Sequence, residues 1–472
     1  MFNRILLASC FSLLLNTAAF AQTTMTLRNC IEYAWLNNLD VRQAMLNKAS
    51  VDIDKSQSRT NMLPSVSANA GQNYQFGRSI DRFTNQFINQ TIRSNNMSVN
   101  ASMLLFGGLQ LQNNIKQMNA SALASQSNIE QIKNQIALNI ANAFLQVIQA
   151  EENIHIAELQ IQATTQRLNK AQKQVDAGTA DLTNLLGLNA QLANEELNLI
   201  NMQNANSSAL LNLRTLMQWP YDQALVLEKP IIKDEALNAT HTVDAIYPLA
   251  LDHLPQIKMA EQQAKAAKYQ RKAAQGSMFP SISLFASLST VYSQSAKLYS
   301  NPRVTGTQLI GYTQTSQEAV YQPIYAFDIQ TKAFNSQLKD NIGQGAGLSF
   351  SWNVFNGLQV QHNIQKAKIN SEISDLNLQR NKNNLLNEVN TAVNNYRTAQ
   401  FRYNAHLKNT DAQKTNFEYI QKRFDAGMTG MTEFTQTKNN YLQAQSNAIQ
   451  AKYELVFRHI ILNYYKGEQI HL

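Results

Sequence analysis

Apolar positions along the chain recur at two different periods, and the switch between them marks out its elements. Within 115–148, Ile115, Met118, Ala122, Ile129, Ile132, Ile136, Ile140, Phe144, Val147 and Ile148 fall mostly at spacings of three, four and seven, with Gln and Asn between them. That spacing predicts a helix of coiled-coil character. Pro is absent from 65 to 219 and from 324 to the end, and Gly is absent from 109 to 177 and from 358 to 426. Since Pro ends helices and Gly permits the turns after them, each gap predicts one uninterrupted helix. A helix from about Gly108 to Val175 is roughly 100 Å long. The next glycines, Gly178 and Gly427, then predict hairpin turns, with shorter helices returning over about 181–214 and 431–464.

Ahead of each long helix the period falls to two. In PSVSANAGQNYQF (64–76), Val66 and Tyr74 share a face with Ala68, Ala70 and Phe76, opposite Ser65, Ser67, Asn69, Asn73 and Gln75. In MSVNASMLL (97–105), Met97, Val99, Ala101, Met103 and Leu105 alternate with Ser98, Asn100 and Ser102. The pattern returns in SISLFASLSTVY (281–292), with Leu284 and Leu288 on the apolar face. It returns again in LSFSWNVF (348–355), where Leu348, Phe350, Trp352 and Val354 oppose Ser349, Ser351 and Asn353. Four strands are predicted, at about 64–76, 97–106, 280–292 and 347–355. Any antiparallel sheet with one solvated face alternates in this way. A membrane is favoured by lengths near the 9–11 residues of a tilted transmembrane strand, and by Ser and Asn rather than charge on the second face. Four such strands leave two edges that lipid cannot satisfy, so the reading requires an oligomer, and three copies give twelve strands.

The chain also writes its elements twice. VDAGTADLTNLL (175–186) is answered by FDAGMTGMTEFT (424–435), 249 positions on, and MLLFGGLQLQNNI (103–115) by WNVFNGLQVQHNI (352–364) at the same offset. NMLPSVSANA (61–70) is answered by SMFPSISLFA (277–286) at an offset of 216, so the second copy carries 33 more residues between its Pro and its Phe. The predicted organisation is a first repeat over 22–217, a linker over 218–245 and a second repeat over 246–472, whose long loop (293–346) holds the extra length. That loop, rich in Tyr, Gln and Thr, is open to three readings: a plug, a contact with external partners, or an ordinary surface loop.

Composition narrows the function. With 44% hydrophobic and only 15% charged residues, the surface is polar but weakly charged. The net charge of +8 comes from Lys and Arg spread singly, which argues against nucleic acid. MFNRILLASCFSLLLNTAAFAQ, with Arg4, an apolar stretch and Ala19-x-Ala21, reads as an export signal over 1–21. The rival reading is a lipoprotein box ending at Cys10. Cys30 is then the only mature thiol, so no intrachain disulfide is expected. No run of about 18 apolar residues follows the signal. No HExxH occurs, no GxSxG stands at a strand-to-helix turn, and Gly343-Gln344-Gly345-Ala346-Gly347 precedes a predicted strand, so neither enzyme nor cofactor is expected.

These residues resemble the TolC family of outer-membrane factors over essentially the whole mature chain. The carriers are the signal, the tandem repeat, the strand pairs before long helices, the phrases QVDAGTADLTNLL and RFDAGMTGMTEFT, and the repeat starts Asn38-Leu39-Asp40-Val41 and Leu254-Pro255-Gln256-Ile257. Those starts are similar to the family's Asn-Pro-x-Leu/Ile, although neither keeps both Asn and Pro. The resemblance implies a mostly α chain with membrane β, four strands and two coiled-coil hairpins per protomer. It implies a homotrimer in which a twelve-stranded outer-membrane β-barrel continues into a periplasmic α-barrel. The implied partners are outer-membrane lipid, a periplasmic adaptor (membrane fusion protein) and an inner-membrane transporter. The implied function is passive export, of small molecules in a tripartite efflux pump or of protein in type I secretion. A different class, a non-conducting coiled-coil scaffold, would use the sheet for self-assembly.

Carried over by position, the adaptor-docking residues are Ala177, Gly178 and Thr179 in the first hairpin, and Arg423, Ala426, Gly427 and Met428 in the second. A tight turn needs the glycines whether or not a partner binds. The gate carboxylates of the family fall on Glu433 and Gln436, and in the first copy on Asn184 and Gly187, with Asp181 nearby. Only Glu433 keeps its charge there, and a solvated Glu at a helix start is the alternative. The lipid-facing strand residues are Val66, Tyr74, Val99, Met103, Leu284, Leu288, Phe350 and Trp352.

Overall fold

The computed structural model describes residues 24–80, 85–89, 91–179, 181–230, 232, 238, 240–468 and 470. The export signal read in 1–21 lies outside the described residues. In chain order the elements are α1 (Leu27–Asn37), α2 (Leu39–Thr60), β1 (Ser65–Gln75), β2 (Arg78–Ile80), β3 (Phe87–Asn89), β4 (Ile92–Gly107), α3 (Gln110–Asp176) and α4 (Leu182–Met217). They continue with α5 (Val243–His253), α6 (Pro255–Gly276), β5 (Ser281–Ser293), β6 (Lys297–Tyr312), β7 (Ala319–Thr331), α7 (Phe334–Asp340), β8 (Gly343–Ser351), α8 (Gln359–Asp425) and α9 (Met431–Lys466). The repeat is a repeat of lengths: α3 and α8 have 67 residues each, α4 and α9 have 36, α2 and α6 have 22, and α1 and α5 have 11. No helix among the described residues is long and apolar enough to cross a membrane.

The break between the first two helices of each repeat has one purpose and two solutions. After α1, Asn38 takes extended backbone, and its Oδ1 accepts from the Asp40 amide at 2.8 Å, capping α2. After α5 the extended residue is Leu254, which has no side-chain acceptor, and Pro255 occupies the first helical position, where its missing N–H costs nothing. Each copy thus keeps one half of the Asn-Pro pair. Val41 and Ile257, three residues past each break, are both buried.

The chain forms two units, one comprising residues up to Asp52, Ala120–Lys265 and Glu372 onward, the other Ile53–Asn119 and Ala266–Ser371. The first holds the apolar cores. Ile140, Phe144 and Ile148 of α3 pack with Leu27 and Ile31 of α1, Leu213 and Met217 of α4 and Ile460 of α9. A second cluster joins Ile246, Leu254 and Ile257 to Leu385, Val389 and Tyr396 of α8 and Leu455 and Leu462 of α9. Each such buried side chain contributes about 1.5–3 kcal/mol, and the helical spacing of apolar residues selects them.

The second unit holds an antiparallel sheet of order β1-β4-β5-β8. Register aligns Ala68, Val99, Leu288 and Gln344 across it, then Met103, Leu284 and Leu348, so the apolar positions form one face. Val66, Tyr74 and Phe350 belong to that face. The opposite face carries Ser67, Asn100, Ser287 and Gly345 in one row and Asn69, Ser98 and Ser289 in another. In the chain Val66, Leu284, Leu288 and Phe350 are exposed, as are Ser65, Ser67, Ser289 and Ser349 behind them. Among the described residues, the outer edges of β1 and β8 pair with no further strand.

Four expectations need correction. β8 ends at Ser351, so Trp352 lies just past the strand, its indole N–H donating to the Met278 carbonyl at 3.3 Å. The ladder cannot run further because β5 begins at Ser281, after Pro280, which has no N–H to offer. At its other end β8 starts earlier than 347, and Gly343, Gly345 and Gly347 are strand residues rather than a lead-in. A β-bulge between Leu104 and Phe106 removes Leu105 from the alternation and brings Phe106 opposite Ile282. Finally, 293–346 is not a loop, since it contains β6, β7 and α7.

Candidate functional site

The two hairpin turns are built alike. In the first, the Ala177 amide donates to the Lys173 carbonyl at 3.1 Å, the Gly178 amide to Val175 at 2.9 Å and the Thr179 amide to Gln174 at 2.8 Å. In the second, Ala426 donates to Lys422 at 3.1 Å, Gly427 to Phe424 at 3.0 Å and Met428 to Arg423 at 2.8 Å. Gly178 and Gly427 have φ of 66° and 73°, and these left-handed helix terminations explain why glycine stands there. A Cβ at either would meet open space. Asp181 caps α4, accepting from the Thr183 amide at 3.2 Å, and hydrogen bonds from Thr183 hold its carboxyl below the ordinary value.

Glu433, in the first turn of α9, is not a bare carboxylate. Thr429 donates to it through its hydroxyl, and the Arg423 guanidinium stands 4.0 Å from its other oxygen. Arg423 also donates to the Met428 carbonyl at 3.4 Å and lies 5.9 Å from the Tyr419 ring centre. Two residues expected in different roles, Arg423 and Glu433, thus share one small network across the turn. Gln436 is exposed and donates to Asn440 at 3.1 Å. Asn184 is half-buried, with its Oδ1 lacking a hydrogen-bond partner. Near it a Cβ on Gly187 would meet the Met431 side chain at 3.0 Å, so the starts of α4 and α9 touch.

Between the hairpins lies a charged cluster that periodicity alone did not reveal. The Lys438 ammonium, 1% exposed, donates to Glu195 and, at 2.7 Å, to the Thr164 hydroxyl. Gln191 donates to the same Glu195 oxygen at 2.7 Å, and the second oxygen has no partner. Burial pushes Lys438 below its ordinary value, and Glu195 opposes the shift. The Arg167 guanidinium sits 4.9 Å over the Phe434 ring, and Phe434 stacks on Phe424 at 4.5 Å. The available signal was a lone Lys on a buried stripe running through Phe434, Thr437, Ala444 and Ala448. Among the described residues, no group of three His, Cys, Asp or Glu side chains could hold a metal ion.

The arrangement offers turn backbones, a compensated carboxylate at Glu433 and a buried ionic tie. A family model described as "Outer membrane efflux protein" matches residues 30–217 and 246–462. Among solved structures, the chain is similar to CusC at TM-score 0.74, with 17% identity over 95% of this chain and 93% of that one. It is similar to the outer membrane protein VceC of Vibrio cholerae at TM-score 0.72, with 14% identity over 94% and 96%. It is also similar to the open state of the MtrE outer membrane channel of Neisseria gonorrhoeae at TM-score 0.69, with 18% identity over 94% and 89%. These likenesses establish the fold. A curated relative, "Toxin and drug export protein A" of Aggregatibacter actinomycetemcomitans, is 28% identical over 131 residues, so the chain matches 27% of that protein's length.

Proposed function

The chain belongs to the outer membrane efflux protein family, and on that premise we propose that it is the passive exit duct of a tripartite efflux pump. The observation that carries the reading is the four-stranded sheet, apolar on one face, rich in Ser and Asn on the other, and, among the described residues, unpaired at the outer edges of β1 and β8. In lipid the free backbone groups of both edges must be paired, since each unsatisfied one costs several kcal/mol. Pairing β8 of one copy with β1 of the next satisfies both edges, and three copies close a barrel of twelve strands with the polar face around water. α3 and α8, each about 100 Å by their 67 residues, suit a passage across the periplasm. The hairpin turns at Gly178 and Gly427 then meet the periplasmic adaptor, with Ala177, Thr179, Arg423, Ala426 and Met428 around them, while Glu433, Gln436, Asn184 and Asp181 line the aperture. Energy for transport comes from the inner-membrane transporter, which is why the duct needs no catalytic group.

Cargo has two readings, and the name of the curated relative, which joins toxin to drug export, favours keeping the second. Small molecules are the first and a protein substrate of type I secretion the alternative. The test is the mass of the detergent-extracted protein by native mass spectrometry, paired with dye accumulation and secreted-protein profiles in cells lacking the gene. A mass of three chains with raised dye accumulation supports the efflux duct. Loss of a secreted protein with unchanged dye points to secretion, and a lipid-indifferent monomer or dimer supports a scaffold instead.

A further inference from the structure

The insertion between β5 and β8 has a rooted base. The Gln337 side chain, 1% exposed, accepts from the Ser293 amide at 3.0 Å and donates to the carbonyls of Ser293 at 3.0 Å and Lys332 at 2.8 Å. Lys332 in turn donates its amide to the Ala296 carbonyl at 2.9 Å, which closes the base of the β6–β7 hairpin. α7 then lies back on the sheet. The Thr290 hydroxyl donates to the Leu338 carbonyl at 2.7 Å, and the Phe334 ring packs 5.1 Å from Tyr292. Thr290 and Tyr292 share a face with Leu284 and Leu288, and Leu338 and Ile342 line a small cavity with Met97, Val99 and Leu288. α7 is therefore seated on the apolar face of the sheet.

The hairpin rooted there is amphipathic. Register pairs Tyr299 with Ile329, Val304 with Tyr325, Leu309 with Tyr321 and Tyr312 with Ala319, so all of these project from one face, along with Phe327. All these side chains except that of Ala319 are large, and all of those are exposed. The other face carries Ser300, Arg303, Gln308, Gln322, Asp328 and Gln330 together with the smaller apolar set Leu298, Val320 and Ile324, and it holds no aromatic ring; Asp328 is held there by Asn301 at 2.8 Å and Arg303 at 3.4 Å. Apart from Lys297 at the base, the aromatic face bears no charge. A two-stranded hairpin with one apolar face is marginal in water by itself, so that face requires cover.

We propose that this cover is lipid: the 294–342 insertion is an interfacial anchor whose aromatic face lies in the headgroup region of the outer leaflet, held there by α7 on the lipid side of the sheet. The inference rests on the reading of the sheet as a membrane barrel. Continuity selects the occupant, because the element that roots the hairpin sits on the face which that reading gives to lipid. Chemistry agrees, since tyrosines with apolar bodies and polar tips concentrate at membrane interfaces. An ionic partner finds on the face only Lys297, at its base, to recognise. The headgroup zone also keeps water within reach of the two unpaired hairpin edges, which the hydrocarbon core would not.

Three variants of the full chain, each adding one cysteine, test this: Leu284→Cys on the sheet face, Tyr325→Cys on the aromatic hairpin face and Gln322→Cys behind it. The Cys30 thiol does not compete for label, since it is fully buried and pushed up to about 12. Each variant is labelled with bimane, reconstituted into dioleoylphosphatidylcholine vesicles, and quenched by lipids spin-labelled at the headgroup or along the acyl chain, or by aqueous iodide. The expected result is acyl-chain quenching at 284 and headgroup quenching at 325, roughly threefold stronger than at 322, as an amphipathic interfacial element requires. Lipid quenching at 284 with iodide quenching at 325 overturns the anchor and leaves the barrel standing. So does a position 325 shielded from both quenchers, which would place it against another copy's hairpin. Absence of lipid quenching at 284 removes the barrel reading and the anchor together.

Discussion

Gly108 and Gly276 meet backbone to backbone: a Cβ on Gly108 would fall 2.0 Å from the Gly276 carbonyl oxygen, and one on Gly276 would fall 2.4 Å from that of Gly108. The contact joins the end of β4 to the end of α6, and Gly108 is further held at φ 61°. Its repeat mate Gly357, at φ 66°, faces open space. Gly108→Ala should therefore cost about 3 kcal/mol, combining overpacking with left-handed strain. Gly357→Ala should cost only about 1 kcal/mol from backbone conformation. Denaturant unfolding of the two variants in detergent measures the difference, and equal losses would show that the close approach is not structural.

Lys438→Met removes the ammonium bonded to buried Glu195, and breaking such a pair from one side costs about 3–5 kcal/mol, with the low end expected here because the Arg167 charge also acts on Glu195. Replacing Glu195 with Leu in the same chain should restore most of that loss. A double-mutant cycle on unfolding midpoints checks both statements. A neutral single variant would mean that Arg167 alone compensates Glu195.

Acid should weaken the helical unit through His241. Its ring packs on Tyr396 at 4.8 Å and His459 at 5.6 Å, and burial, aided by the charges of Lys466 and His459, pushes it from 6.5 down to about 4. An unfolded His241 takes up its proton near pH 6.5 and the folded one only near 4, so its contribution is complete above 6.5 and is lost as pH falls through that window. His241→Gln should reduce the drop in Tm between neutral pH and the low end of the window. An unchanged drop would assign it to other groups.

Much of this architecture was legible because helices and strands bury by period. The helix lengths and turn glycines follow from where Pro and Gly are missing, and the sheet faces from alternation. Partner-dependent features were hidden. Nothing local to WNVF shows that Pro280 on the neighbouring strand ends the ladder at Ser351, or that Leu105 is bulged out. The pairing of Glu433 with Arg423 needed the turn closed in space, and the Lys438–Glu195 tie joins α9 to α4 across the repeats. In the 33-residue excess, three irregularities in the β6–β7 register scramble the period-two pattern of β6.

The proposed lipid cover of the apolar sheet face predicts different responses at Leu284 and Trp352. Leu284→Arg places a charge within β5 and should cost about 2 kcal/mol of assembly free energy, whereas Trp352→Arg, beyond the end of β8, should cost less than about 1 kcal/mol. Folding titrations into lipid vesicles report both. Equal tolerance of the two would place water, not lipid, against the face.

Arg423 and Glu433 oppose each other at the second turn, and an exposed pair of this kind is worth under about 1 kcal/mol. Its effect should be electrical rather than structural. Glu433→Gln should lower cation preference and Arg423→Ala should raise it, both read as reversal potentials across a salt gradient. Unmoved potentials in both variants would take Glu433 out of the permeation path.

The central claim is a continuous water-filled duct, and conductance across a planar lipid bilayer tests it most directly, with oligomer mass recorded on the same sample. Detergent-extracted protein of three-chain mass should give discrete channel steps, more cation-selective in Arg423→Ala. A three-chain assembly that stays electrically silent in the native chain and in Arg423→Ala alike would contradict the account.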